Sequence, residues 1–251
     1  MSAFAAEWIK IRTLRSSAWT LGLTVAAAGG LAYFVGSTFR HIDPEVGRFD
    51  AVVATFYGLS LAQLALVVFA VLAVGGEYGS GTIRPSLGAV PRRGAFFAGK
   101  VAAVAACAAV TSAASVAVAF AAGQAGLGPR HTSLTAPGIP QAVAGAFLYL
   151  VLIALFATGL AQVLRSSAVA LGVLLPLFFL GSQGLANIPE AKRYLQYLPD
   201  QAGVAILHFW GAPGSPEYNR DFGPWTGIGI LALWAAAALA AGYLTLRRRD
   251  A

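Results

Sequence analysis

The sequence predicts an all-α integral membrane protein, on three observations. Of its 251 residues, 58% are hydrophobic and only 11% are charged, where soluble domains carry about 25% charged residues. Apolar runs of about 20 residues, the length that crosses the hydrocarbon core of a bilayer, recur along the whole chain. Those runs are too long, and too poor in polar–apolar alternation, for the strands of a membrane barrel, so the spans are helices.

The elements follow in order. The N-terminal AFAAEWIKIRTL has Phe4, Trp8 and Ile11 at helical spacing, flanked by Glu7, Lys10 and Arg12. Such a stripe predicts an amphipathic interfacial segment over residues 1–17, lying in the headgroup plane. Its basic residues precede an apolar run of full spanning length with no clear small-residue cleavage site, so it reads as retained rather than as a signal peptide. Six transmembrane helices are then expected, over 18–35, 51–74, 101–122, 142–164, 168–185 and 225–246. Pro176 is expected to kink the fifth. Residues 186–224 form a long outer loop before the last span. Tyr194, Tyr197 and Leu198, then Val204, Leu207 and Phe209, separated by Pro199, predict two short amphipathic helices within it.

Orientation follows from the basic residues of the connecting segments. Eleven Lys and Arg fall on the side of the N-terminal segment, the 75–100 connection and the C-terminal tail, against six on the other; the ten acids divide three to seven in the reverse sense. Both termini are therefore expected in the cytoplasm. The net charge of +7 is then a consequence of topology, and nucleic acid is not expected as a partner.

Several chemistries are set aside. Gly94–Val101, GAFFAGKV, approaches a phosphate-binding loop but lacks the final Ser or Thr that would hold Mg²⁺, and no strand precedes it. Gly227–Ala232, GIGILA, fits a dinucleotide pattern but lies inside an apolar span, where small residues serve helix packing. His41, His131 and His208 have no second ligand at metal spacing and read as solvated loop residues. Cys107 is the only cysteine, so neither an internal disulfide nor a cysteine metal site can form. The spans carry essentially no charge, which argues against ion-coupled transport and intramembrane hydrolysis. Gln63, Gln162 and Gln183 are the polar exceptions, each read first as making one interhelical hydrogen bond. No catalytic set, cofactor site or metal site is expected on the chain.

The connection over residues 75–100, GGEYGSGTIRPSLGAVPRRGAFFAGK, is longer than a turn between neighbouring helices requires. Topology accounts for Arg92, Arg93 and Lys100 but gives no reason for Glu77 at the inner end of a span. Thr82, Ile83, Arg84 and Leu87, between Gly79, Gly81 and Gly88, predict one short helical turn with Pro85 near its start. A compact knob just below the membrane suits docking to a cytosolic partner.

EWIKIRTLRSSAW, EYGSGTIRPSLGAVPRRGAFFAGK and the outer LPDQAG together resemble the membrane-spanning permease subunit of bacterial type-2 ABC exporters. The family's Glu, Gly-Thr-Ile-Arg, Leu, Pro-Arg-Arg and Lys correspond to Glu77, Gly81, Thr82, Ile83, Arg84, Leu87, Pro91, Arg92, Arg93 and Lys100. Gly79 and Pro85 depart from the family's usual residues. The resemblance implies a paired permease working with two separate cytosolic P-loop ATPase subunits, which carry the ATP and Mg²⁺. It implies a coupling helix at Glu77, Gly81, Thr82, Ile83, Arg84 and Leu87 that seats on the ATPase, and an interfacial connector helix carrying Phe4, Trp8 and Ile11. The expected function is export of an amphipathic small molecule, lipid or peptide across the bacterial cytoplasmic membrane. The Ala- and Gly-rich composition suggests an actinobacterial source. The second reading is a non-transporting structural or regulatory membrane protein that recruits a cytosolic partner through residues 75–94.

Overall fold

The computed structural model describes residues 3–40, 50–90, 92–182, 188–209, 211–216 and 218–248, except the side chains of 189–191. Among them every regular element is a helix. In chain order these are α1 (Ala3–Thr13), α2 (Arg15–Arg40), α3 (Ala51–Phe56), α4 (Leu59–Gly79), α5 (Ile83–Ala89), α6 (Arg93–Leu127), α7 (Ile139–Leu164), α8 (Ser167–Ser182), α9 (Pro189–Leu195), α10 (Pro199–Gly203) and α11 (Pro224–Arg248). Short 3₁₀ turns cover Gly128–Arg130 and Val204–Leu207. Part of the expected 186–224 loop, together with His41, Gln183 and Pro91, lies outside the described residues.

Among the described residues five segments are long and apolar enough to cross a membrane: Arg15–Arg40, Ala51–Gly79, Arg93–Arg130, Ile139–Leu164 and Pro224–Arg248. The chain is thus an all-α, multi-pass membrane protein. The fifth expected span, at 168–185, is the exception. Among the described residues its helix α8 covers 16 positions, about 24 Å at 1.5 Å per residue, against a hydrocarbon core of about 30 Å; residues 183–185 of the expected span lie outside the described residues. The second expected span is also interrupted. At Gly58 the chain passes so close to α2 that a Cβ would lie 2.6 Å from Leu31 Cβ, and α3 and α4 meet there. Asp50 caps α3, its Oδ1 accepting from the Val52 amide at 2.7 Å.

α4 and α7 fill the centre. Leu66, Val67, Phe69, Ala70 and Val71 on one, and Tyr149, Leu150, Ile153, Ala154 and Ala157 on the other, are almost wholly buried. That is how a helix apolar on every side is accommodated. Two pairs of helices pack side by side on small residues. On α2 and α6, Gly29 meets Val118, and Gly36 meets Gly123, where a Cβ would lie 2.7 Å from the carbonyl oxygen. On α7 and α11, a Cβ at Gly159 would overlap the Ala238 backbone, and Gly242 lies against Gln162. In both pairs residue numbers rise together, so the paired helices are parallel. Close backbone approach of this kind is how helices associate where burial offers no gain over lipid.

The two ends of the bundle differ. At one end α1, α5, the start of α6 and the end of α11 gather. Arg93 Nη1 donates to Leu246 O at 2.7 Å and Arg165 Nη2 to Thr245 O at 3.0 Å, satisfying terminal carbonyls of α11 that have no partner within the helix. At the other end α10 and the following 3₁₀ turn are buried from Pro199 to Leu207. Gly203 packs on the Tyr149 ring. α8 runs between the two, from Ser167 against Gly75 to Gly181 against Asp200, and continues through Pro176.

Gly159→Ala should destabilise the bundle by about 1–3 kcal/mol, the usual cost of overpacking. Gly22→Ala, where a Cβ meets nothing within 4 Å, should be neutral or slightly stabilising. Denaturant unfolding of the detergent-solubilised variants measures both.

Candidate functional site

Glu77 stands in the last turn of α4, ahead of the connection to which the sequence assigns it. It is 6% exposed and turned into the bundle. Lys100, in the second turn of α6, is 1% exposed. Its Nζ lies 2.9 Å from Glu77 Oε1 and 2.8 Å from Glu7 Oε2. Glu7 comes from α1 and is 4% exposed. Lys10, one turn further along α1, closes the set: its Nζ is 2.8 Å from Glu7 Oε1 and also pairs with Glu77 Oε1. Two glutamates and two lysines from three helices thus form one neutral, largely buried cluster.

Local features position each member. α1 crosses α6 at Gly99, where a Cβ would come within 2.7 Å of Ala3 Cβ, and this brings Glu7 over Lys100. Trp8 packs partly buried on the main core, Ile11 is buried, and Phe4 stacks on Trp8 with ring centroids 5.9 Å apart. The expected face of Phe4, Trp8 and Ile11 therefore reaches the protein only through its last two members, while Glu7 faces inward rather than toward headgroups. The Lys100 ammonium also lies over the Phe96 ring, 5.2 Å from its centroid. Glu77 Oε2 has no hydrogen-bond partner among the described residues.

Burial opposes ionisation of Glu7. The Lys100 and Lys10 ammonium groups outweigh it and hold the carboxyl below its ordinary value. Burial likewise opposes the charge on Lys10, and its bonds to Glu7 and Glu77 override that and raise its pKa. Burying these charges costs several kcal/mol per ion, so each is held only because the others are present.

Tyr78, the next residue, reaches the other way. Its hydroxyl accepts a hydrogen bond from Gln162 Nε2 on α7, and the Arg165 guanidinium lies 5.5 Å from its ring centroid. The Glu77–Tyr78 pair therefore ties the end of α4 to α1, α6 and α7 together. Gln162 makes the interhelical bond expected of it, as does Gln63, whose Oε1 accepts from Tyr149 at 2.6 Å.

The connection itself spans residues 80–92, shorter than expected because α4 runs to Gly79 and α6 starts at Arg93. Gly81 has φ +73, and nothing lies within 4 Å of a Cβ there; the glycine serves the backbone conformation rather than a close approach. Thr82 precedes α5, its hydroxyl 2.9 Å from that of Ser80. Ile83 is buried with Phe96 and Leu246, and Leu87 packs beside them. Arg84, Pro85, Gly88 and Ala89 form the exposed side. α5 is thus seated by its apolar residues on the ends of α6 and α11.

Glu7, Lys10 and Lys100 were not assigned to a common site by the sequence. Glu7 and Lys10 do stand at the i, i+3 spacing of a helical ion pair, but nothing in the sequence places Lys100 beside them. Among the described residues no group of three His, Cys, Asp or Glu could hold a metal. No model of a known protein family matches the chain, and no curated protein matches it in sequence.

Lys100→Met leaves Glu7 and Glu77 short of a counter-charge and should cost about 3–5 kcal/mol, read from denaturant unfolding. The docking of α1 should also have a pH window. Glu7 titrates below its ordinary 4.5, so its contribution is complete above that pH and lost as pH falls through the lowered value. Lys10 titrates above its ordinary 10.5, so its contribution is complete below that pH and lost as pH rises through the raised value. Hydrogen exchange of the α1 amides should therefore be slowest relative to intrinsic rates between these limits, and Glu7→Gln should remove the acid limb.

Proposed function

We propose that the chain is the membrane-spanning permease subunit of an ATP-driven ABC exporter, moving an amphipathic small molecule, lipid or peptide across the bacterial cytoplasmic membrane. The observation that carries this reading is the seating of α5. A short helix projects from the bundle with Arg84, Pro85, Gly88 and Ala89 outward. Its root at Glu77 is locked by Lys100 and Lys10 to α6 and α1. A push on α5 from a cytosolic partner would reach α1, α4, α6 and α11 together. An amphipathic cargo fits spans without acidic or basic clusters along their length better than a strongly ionic one does.

α8 acts as a sixth span in this reading. Its ends touch Gly75 and Asp200 at opposite ends of the bundle, which supports a crossing despite its length. The bond from Arg93 to the end of α11 puts that terminus beside the start of α6, in keeping with both termini on the cytoplasmic side. ATP binding and hydrolysis belong to separate P-loop ATPase subunits, with Mg²⁺ held there. A second permease, either a copy or a relative, completes the translocator. An ATPase exerts force only because it binds the two states of the permease differently, and α5 is where that difference enters.

Mild detergent extraction of the tagged protein from its native membranes should co-purify a stoichiometric P-loop ATPase. Arg84→Glu should lower that yield by about tenfold or more while leaving membrane insertion unchanged. Absence of an ATPase across several mild detergents would instead favour a structural or regulatory protein recruiting another cytosolic partner through the same helix.

A further inference from the structure

The LPDQAG segment has buried chemistry that the exporter reading leaves unused. Asp200 of α10 is 1% exposed. Its Oδ2 accepts a hydrogen bond from Gln201 Nε2 at 2.7 Å, and its Oδ1 has no hydrogen-bond partner among the described residues. α8 approaches so closely that a Cβ at Gly181 would overlap Asp200 Oδ2. On the α7 side stands Tyr149, whose hydroxyl is committed to Gln63. Arg220 is also buried, but its Nη2 is placed toward Gln201 Oε1, at 3.4 Å. Asp221, beside Arg220, accepts from Gln196 Nε2. α8 and α11 meet α10 through Gly181 and Gly227, neither of which can titrate. His208, the nearest histidine in sequence, is paired with Asp50 at 2.7 Å.

A carboxylate in this position is stripped of water on one oxygen, and its donors, the Gln201 side chain and the backbone N–H groups of Asp200 and Gln201, are all neutral. An ionised acid so placed is costly, and the neutral acid is not. We propose that Asp200 is a proton-operated latch: as the neutral acid it lets α10 close against α8, and as the carboxylate it loosens that closure. The step is the transfer of one proton between the carboxylate and water on the outer side, with no other bond changed. Burial pushes the Asp200 carboxyl up to about 6, against the opposing hydrogen bond from Gln201 and the charge of Arg220.

The sign follows from linkage. The folded value lies above the ordinary 3.8, so closure is tightest in acid. It weakens as pH rises from there toward about 6 and levels off above. The inference does not rest on the exporter reading, because it is tested on the chain alone.

The test is hydrogen exchange of amides 199–207 in the full-length protein in lipid nanodiscs, corrected for intrinsic rates. Protection should fall by about tenfold or more between about pH 4.5 and pH 7. Asp200→Asn, a neutral isostere, should keep protection high and flat. His208→Asn, which removes the contact with Asp50 at this end, should leave the profile unchanged. If Asp200→Asn fails to insert, Gln201→Leu serves instead: it removes the carboxylate's donor and should move the transition to higher pH. A flat wild-type profile, an unchanged profile in Asp200→Asn, its loss in His208→Asn, or no shift in Gln201→Leu would each overturn the proposal.

Discussion

Two glutamates and a lysine buried at one end of an apolar bundle, with a second lysine half-buried beside them, can persist only as a set. Lys100 bridges Glu7 and Glu77, and Lys10 bridges the same two carboxylates from the open side. Removing any one leaves a desolvated charge without compensation, whereas the complete cluster is neutral. The rest of that end is organised by this constraint. α1 is held across α6 because Glu7 must reach Lys100, and the end of α4 is fixed because Glu77 must reach both lysines. α5 begins only five residues after Tyr78, so its place beneath the bundle is fixed by the same cluster and by Ile83 against Phe96 and Leu246.

The glycine seams set how such a point of control could act on the spans. α2 with α6, and α7 with α11, are joined along close backbone contacts. Each pair therefore moves more readily as a unit than as separate helices. α6 carries Lys100 and α11 carries Leu246, so both pairs reach the end where α5 sits. α8 is the odd element: short, buried only along Ala170, Leu174, Phe178 and Gly181, and touching α10 at its far end. One end is held by ion pairs between helices, while the other buries the single acid Asp200 of α10. The physical difference is that paired charges resist change in pH, and a lone buried carboxyl responds to it.

Much of the architecture is legible in composition and periodicity. Runs of about 20 apolar residues locate four of the five spanning segments to within about five residues, because in lipid every backbone group must be satisfied within its own helix; the third starts earlier than expected, at Arg93 rather than Val101. The short helix α5 is also legible, since Gly81 and Pro85 punctuate the chain where it turns. Glu77 stands out as an acid that topology does not require. The break between α3 and α4 was hidden for a definite reason: at Gly58 the chain lies against Leu31 of α2, a contact between segments far apart in sequence.

The sequence by itself determined that the chain is helical, that it crosses a membrane repeatedly, and that a short helical turn lies in the connection between the second and third expected spans. Those follow from local rules: the length of apolar runs, the demands of backbone hydrogen bonding and the placing of glycine and proline. Only the tertiary structure decided which charges meet. Glu7 and Lys100 are 93 positions apart, and Asp200 is buried against Gly181 of α8. A charged side chain's partner and burial depend on helices that pack against one another, and no periodicity within one segment records them.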